Sequence, residues 1–114
     1  MKLKKCLLLL PTRYNDGTEV PPEVLSGILK DIDREFDGHS VDGYVEGAYR
    51  MADGTMAHDR SLKVWVAVRP DQVEELKVLA RRFAGRLRQE TLWFETTEAE
   101  VEFLPPLGED EDET

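Results

Sequence analysis

The chain has 114 residues, of which 40% are hydrophobic and 34% charged, and its formal net charge is −9 at pH 7. This length supports one domain with a single core, and the apolar share excludes a wholly disordered chain. The single cysteine cannot form an intrachain disulfide. The net negative charge disfavours nucleic acid as a partner, because phosphate binding relies on Lys and Arg.

Basic residues before an apolar run give the N-terminus a superficial likeness to a signal peptide. The run covers only Cys6 to Leu10 before Pro11. That is shorter than the ~7–15 residues of a signal-peptide core and far below the ~20 residues that span a bilayer. The segment therefore predicts a buried strand in a soluble, cytoplasmic protein without a membrane partner.

The first half of the chain predicts a strand, a helix and a second strand. The strand covers 3–10, and the helix begins at Pro21-Pro22 and follows an apolar stripe to about Phe36. From His39 to Met51 the pattern changes to period two, which is typical of a strand. Gly43 and Gly47 within it indicate a bulge or a close backbone approach.

The second half repeats the order with a strand, a helix and a last strand. The strand covers 62–68, the helix begins at Pro70-Asp71, and the last strand covers 90–96. Alternating glutamates and apolar residues at 98–103 also allow an extra C-terminal edge strand or a β extension. The order β-α-β-β-α-β predicts an α+β, ferredoxin-like two-layer sandwich, with a four-stranded antiparallel sheet and two helices on one face.

A single domain is expected at 1–107, followed by an acidic tail at 108–114. The tail holds five of the 24 acidic residues and no basic one, so without it the net charge falls from −9 to −4. A run of like charges has nothing to bury and is expected to be disordered. It serves as a solubilising end or as a partner-binding segment.

The sheet face opposite the helices is expected to be apolar. It carries Trp65, Trp93 and Tyr44 if Val64 and Val66 face the helices. The first strand adds either Leu7 and Leu9 or Cys6, Leu8 and Leu10, because it is apolar on both sides. The other residues assigned to this face are Glu46, Arg50, Lys63, Ala67 and Glu95. Such a patch is larger than a monomer usually exposes, which favours a homodimer packed sheet on sheet or a small-molecule ligand.

Polar residues near the strand ends form a second candidate site: Glu46, Tyr49, Arg50, Asp59 and Glu90. They are either structural ion pairs or the rim of a polar pocket. His39, His58 and Cys6 are too few for a structural zinc site, and the chain has no glycine-rich phosphate loop. We therefore expect no metal and no cofactor from these motifs, while the carboxylates still leave a weak divalent cation site open.

Short motifs along residues 5–95 resemble small bacterial domains of unknown function with the ferredoxin-like order. They are Phe36-Asp37-Gly38, residues 45–54, Asp59-Arg60-Ser61 and Gln89-Glu90. The order is more distantly similar to nitrogen-regulatory and cation-tolerance proteins, whose loops bind nucleotides or metals, although their phosphate-binding motifs are not recognisable here.

Three functions are consistent with these observations. The first is a binding or regulatory module that acts as a homodimer through its sheet face. The second is a small enzyme whose catalytic candidates are the five polar residues named above. The third is an acidic protein that mimics nucleic acid for a DNA-binding partner, with the tail supplying the charge.

Overall fold

A computed structural model describes residues 1–108 and shows the predicted sandwich. The strands are β1 (Lys2–Pro11), β2 (Ser40–Arg50), β3 (Met56–Val68) and β4 (Trp93–Glu100), and the helices are α1 (Pro22–Glu35) and α2 (Val73–Arg86). A 3-10 turn at Pro70–Gln72 precedes α2. The strands form one antiparallel sheet in the order β2-β3-β1-β4, which confirms the ferredoxin-like prediction. The acidic residues from 109 onward lie outside the described residues.

The core lies between the helices and one face of the sheet, which we call the helix-side face. Cys6, Leu8 and Leu10 of β1 are fully buried there, opposite Val66, Val64 and Leu62 of β3. The helices contribute Ile28, Ile32, Leu76 and Phe83, all fully buried. Burial also raises the pKa of the Cys6 thiol, so this cysteine is a neutral core residue. The alternation of β1 therefore leaves Leu7 and Leu9 on the opposite face.

The last strand is shifted toward the C-terminus relative to the prediction. β4 begins at Trp93 and runs to Glu100, where it pairs with Lys2. The backbone N–H of Val101 also donates to the carbonyl of Met1 at 2.9 Å, one residue before β1 begins. The structure shows the β extension that the sequence allowed, since residues 98–100 belong to β4, and residues 101–108 form no separate edge strand.

A bulge in β2 changes which residues share a face. Val41 pairs with Val64 and Tyr44 pairs with Leu62, so three steps on β2 match two on β3. Gly43 has φ +73°, a conformation that favours glycine. Because the bulge reverses the alternation, Tyr44, Glu46 and Arg50 lie on the helix-side face. Their predicted place on the opposite face is wrong.

One turn design occurs twice, at Tyr14–Thr18 and at Met51–Thr55. In each, Gly N–H donates to the carbonyl three residues back, at 3.0 Å, and the first residue's N–H donates to the Thr carbonyl. In each, the Thr N–H and hydroxyl both donate to the Asp Oδ1, at 2.9 and 2.6 Å. The shared Asp-Gly-Thr sequence explains the likeness, since glycine supplies positive φ and aspartate accepts locally.

Helix α2 ends in a left-handed residue that is not glycine. Arg88 has φ +54°, the one positive φ outside glycine among residues 1–108. Its N–H donates to the carbonyl of Gly85, and the N–H of Gln89 donates to that of Ala84. This is the Schellman pattern, in which glycine is usual at the position of Arg88. The Cβ of an L residue is strained there.

Within residues 1–108, no helix is both long enough and apolar enough to cross a membrane.

Replacing Arg88 by glycine is expected to raise the free energy of unfolding by about 1 kcal/mol, because the left-handed strain disappears. Arg88→Ala keeps a Cβ and is the matched control, which we expect to gain nothing. Urea unfolding of the three proteins checks this. A glycine variant less stable than the alanine variant would contradict the strain.

The pKa of the exposed Asp53 carboxyl is lowered mainly by the hydrogen bond from the Thr55 hydroxyl and secondly by the one from the Thr55 backbone N–H. Because the Asp53 pKa is lower in the folded state, the ionised carboxylate stabilises the turn at pH values above the ordinary Asp pKa. This stabilisation is lost as the pH falls through the lowered pKa. Thr55→Val is expected to move the Asp53 pKa upward. Carboxyl ¹³C NMR during acid titration measures it. Asp16, held by Thr18 in the matching turn, is the internal control and keeps its low pKa.

Candidate functional site: the open face of the sheet

The face of the sheet without helices is called the open face. Strand register places on it residues from all four strands. Its central members are Leu7, Leu9, Asp42, Lys5, Lys63, Trp65, Trp93 and Glu95. Leu7 lies between Trp65 and Glu95, and Leu9 lies between Lys63 and Trp93. The predicted placement of both tryptophans on this face is confirmed.

Trp65 is held between two lysines. The Lys5 Nζ lies 4.1 Å from the ring centroid, and the Lys63 Nζ lies 5.5 Å from it. The Trp65 Nε1 donates to Asp42 Oδ2 at 3.4 Å, and the same oxygen lies 3.4 Å from the Lys63 Nζ. Ammonium groups over an indole are attracted by its π face. Trp65 is consequently half-buried and fixed in orientation although no helix covers it.

Leu7 and Trp93, both on the open face, differ in how far they are exposed to solvent. Leu7 is only 7% exposed, because it lies in the middle of the sheet between larger neighbours. Trp93 on the edge strand is 52% exposed, and its Nε1 donates to Glu95 Oε1 at 3.3 Å. The chain therefore covers the centre of the open face with its own side chains and leaves the β4 side uncovered.

Two grooves on the described surface lie away from the tryptophans of the open face. A groove of about 370 Å³ lies beside the start of β1, between Leu3, Pro70 and Ala99. Another of about 280 Å³ lies between the helices, beside Phe83 and Arg86. Neither groove includes the tryptophans of the open face. Small-molecule sites are usually concave, so these grooves do not make the tryptophans part of a small-molecule site.

The five polar candidates are distributed over both sides of the β2–β3 hairpin. Glu46 and Arg50 lie on the helix-side face, whereas Tyr49 and Asp59 lie on the other face. Glu90 precedes β4 in a loop. The Arg50 Nη1 donates to the carbonyl of Gly54 at 3.0 Å, which closes the hairpin turn. The register thus does not bring the five to one face, and their catalytic role stays a prediction.

No group of three or more His, Cys, Asp or Glu side chains in residues 1–108 is arranged to hold a metal ion.

Two stacked arginines were missed by the sequence analysis. The Arg60 guanidinium lies 4.4 Å from the Tyr44 ring, and that of Arg88 lies 4.6 Å from the Tyr14 ring. The first pair depends on the bulge that turns Tyr44 toward Arg60. The second joins two loops that are far apart in the chain. Neither strand periodicity nor motif spacing carries that information.

Lys5→Ala is expected to lower the free energy of unfolding by about 1 kcal/mol, because Trp65 loses a stacked ammonium and Leu7 a neighbouring stem. Lys2→Ala removes the same charge from β1 away from any ring and is the control. Thermal unfolding at one protein concentration measures both. Equal effects of the two variants would show that the Lys5 contact with Trp65 contributes nothing.

The sequence matches no protein-family model and no curated protein. The fold is similar to that of a phage SAM lyase in complex with S-methyl-5'-thioadenosine, at TM-score 0.64 and 12% identity, covering 90% of this chain and 93% of that one. CutA from Synechococcus elongatus matches at TM-score 0.58 and 11% identity, covering 86% and 80%. The divalent cation tolerance protein Cut A1 from Thermus thermophilus matches at 0.54 and 16%, covering 92% and 88%. At these identities the likeness shows the ferredoxin-like fold alone, and the predicted similarity in order to cation-tolerance proteins is confirmed at that level.

Proposed function

We propose that the protein is a small binding module that works as a homodimer, with the open face of one copy packed against the open face of another. One observation carries the proposal: Leu9, Trp65 and Trp93 lie on a sheet face that no helix covers. An exposed apolar patch such as the one on the β4 side of this face marks a candidate interaction surface. Sheet-on-sheet packing covers such a face with about 10 Å between the layers.

The charges on the open face favour a second copy over an unrelated partner. Lys5 and Lys63 lie on β1 and β3, whereas Glu95 lies on β4 and Asp42 on β2. A twofold interface buries the same patch on both copies, so the patch must complement itself. A face that carries both signs on different strands meets this requirement, because rotation can bring the lysines of one copy opposite the carboxylates of the other.

The available area is sufficient for a modest interface. Four strands about 4.8 Å apart and about eight residues long present about 500 Å² of flat surface per copy. Two copies would bury about 1,000 Å², the low end for a specific complex. Protruding side chains add to that area, and so does the part of the β2–β3 hairpin that extends past the end of β1. The expected dimer is therefore reversible and depends on concentration.

The test compares a substitution on the open face with one on the helices. Trp93→Asp replaces a 52% exposed side chain on β4 by a charged one. Val78→Asp introduces the same charge on α2, where Val78 is 47% exposed. Analytical ultracentrifugation of the wild type is expected to give a mass near twice 13.1 kDa at high concentration. Trp93→Asp is expected to be monomeric, because the open face would bury an unpaired charge. Val78→Asp is expected to dimerise like the wild type.

Circular dichroism of each variant confirms that it is folded. The proposal is contradicted if the wild type remains monomeric at about 1 mM. That concentration lies well above the Kd of a functional dimer with an interface of this size. A Val78→Asp variant that dissociates as readily as Trp93→Asp also contradicts the proposal.

A further inference from the structure

The groove between the two helices is bordered mainly by arginines. We call it the interhelical groove. Its volume is about 280 Å³, and it lies between the C-terminal half of α1 and the second half of α2. Two core residues, Leu79 and Phe83, line it together with Arg34, Arg82 and Arg86. Three arginine side chains therefore border one concave surface of the chain.

Two of these arginines are fixed on a single carboxylate. Arg34 Nη1 donates to Asp31 Oδ1 and Arg86 Nη1 donates to Asp31 Oδ2, both at 2.7 Å. The residue at position 27 of α1 is glycine, where a Cβ would lie only 2.9 Å from Arg86 Nη2. The glycine thus leaves room for the Arg86 side chain to reach from α2 to α1. Because Asp31 has one negative charge and the two guanidinium groups have one positive charge each, one positive charge remains.

Arg82 is the third arginine of the groove, and its side chain is exposed. Among residues 1–108, no hydrogen bond, ion pair or ring contact involves this side chain. Glu35 also lines the groove, yet the positive charge continues along α2, since residues 77–88 include five basic residues and no acidic one. In a chain of net charge −9 this reversal of sign attracts an acidic segment.

The chain itself contains an acidic segment that matches. The acidic run at 109–113 has five carboxylates and no basic residue, and it follows directly after the described residues 1–108. The residues that lead to it are exposed, with Phe103 at 82%, Leu104 at 81% and Leu107 at 63%. Large apolar side chains left uncovered in one short segment mark a region that contacts another molecule.

We propose that the acidic run at 109–113 of one copy binds in the interhelical groove of a second copy. Its five carboxylates face the five basic residues of 77–88, and guanidinium groups bind carboxylates through two parallel N–H donors. A second copy is favoured over the same chain because residues 103–107 do not line the groove of their own copy. A segment that returned over its own helices would cover the side chains that are exposed here.

This contact lies on the helix layer, away from the open face, so it does not depend on the proposed open-face dimer. The two proposals fail separately. At about 0.5 M salt a contact between exposed charges is screened, and the mass then reports the open face alone. The groove is tested by peptide binding at low salt.

Fluorescence anisotropy of a labelled, amidated peptide of residues 103–113 tests the groove. The protein is the full chain with a neutral acidic run, called the tail-neutral variant, so that its groove is vacant. Its substitutions are Glu109→Gln, Asp110→Asn, Glu111→Gln, Asp112→Asn and Glu113→Gln. Binding is expected with a Kd below about 1 mM at about 0.05 M salt, and it is expected to be lost at about 0.5 M salt.

Two neighbouring arginines of α2 give a matched pair of substitutions in the tail-neutral variant. Arg82→Gln is expected to weaken peptide binding at least about fivefold, because a charged bidentate contact is lost. Arg81 is equally exposed but lines neither groove, so Arg81→Gln is expected to weaken binding less than about twofold. Equal effects of the two substitutions would show attraction to net charge alone and overturn the proposal, as would the absence of peptide binding at about 1 mM protein.

The wild type distinguishes a second copy from the same chain. Acidic runs of other copies compete only in proportion to their concentration, so the wild type is expected to bind the peptide within about threefold of the tail-neutral variant. An acidic run bound in its own groove acts at an effective concentration of about 1 mM or more at every dilution. Binding at least about tenfold weaker to the wild type would therefore overturn the assignment to a second copy.

Discussion

The structure depends on a central strand that is apolar on both sides. β1 sends Cys6, Leu8 and Leu10 into the helix layer and Leu7 and Leu9 to the open face. Such a strand is stable only if both of its faces are kept from water. The helices satisfy one face completely. The other is satisfied in part by the lysines that cover Trp65, and the remaining uncovered surface toward Trp93 is what makes self-association the natural function to propose.

Arginine and lysine perform opposite tasks on the two faces of this sheet. On the open face, the ammonium groups of Lys5 and Lys63 lie over an indole, and that of Lys63 also pairs with the Asp42 carboxylate. On the helix-side face, the guanidinium groups of Arg60 and Arg88 stack on tyrosines and keep their donors free. The chemistry of the two cations explains the difference. An ammonium is a compact point charge with no preferred plane, whereas a stacked guanidinium is planar and still offers its edge of N–H donors.

The sequence predicted the fold well because hydrophobic periodicity reports which side chains are buried. The stripe from Ile28 to Ile32 and the alternation of Val64 and Val66 both face the core as expected. The assignment of residues to faces of the sheet failed where one backbone irregularity changes the direction of many side chains. Glycines in β2 indicated a bulge, but spacing alone could not place it between Val41 and Tyr44, so Tyr44 was assigned to the wrong face. The pair of Arg88 with Tyr14 was equally out of reach, since it depends on two loops meeting in space.

The bulge at Gly43 shifts by one residue the alternation of side chains between the two faces of β2. Before it, β2 presents Asp42 to the open face. After it, the alternation is inverted up to the turn at Met51. Removing the one extra residue there would leave Val41 opposite Val64 and Tyr44 opposite Leu62, so every later side chain of β2 would keep its face and its partner. Chains with this architecture can therefore lose the extra residue at this point of β2 while both the interior and the surfaces of the hairpin stay the same.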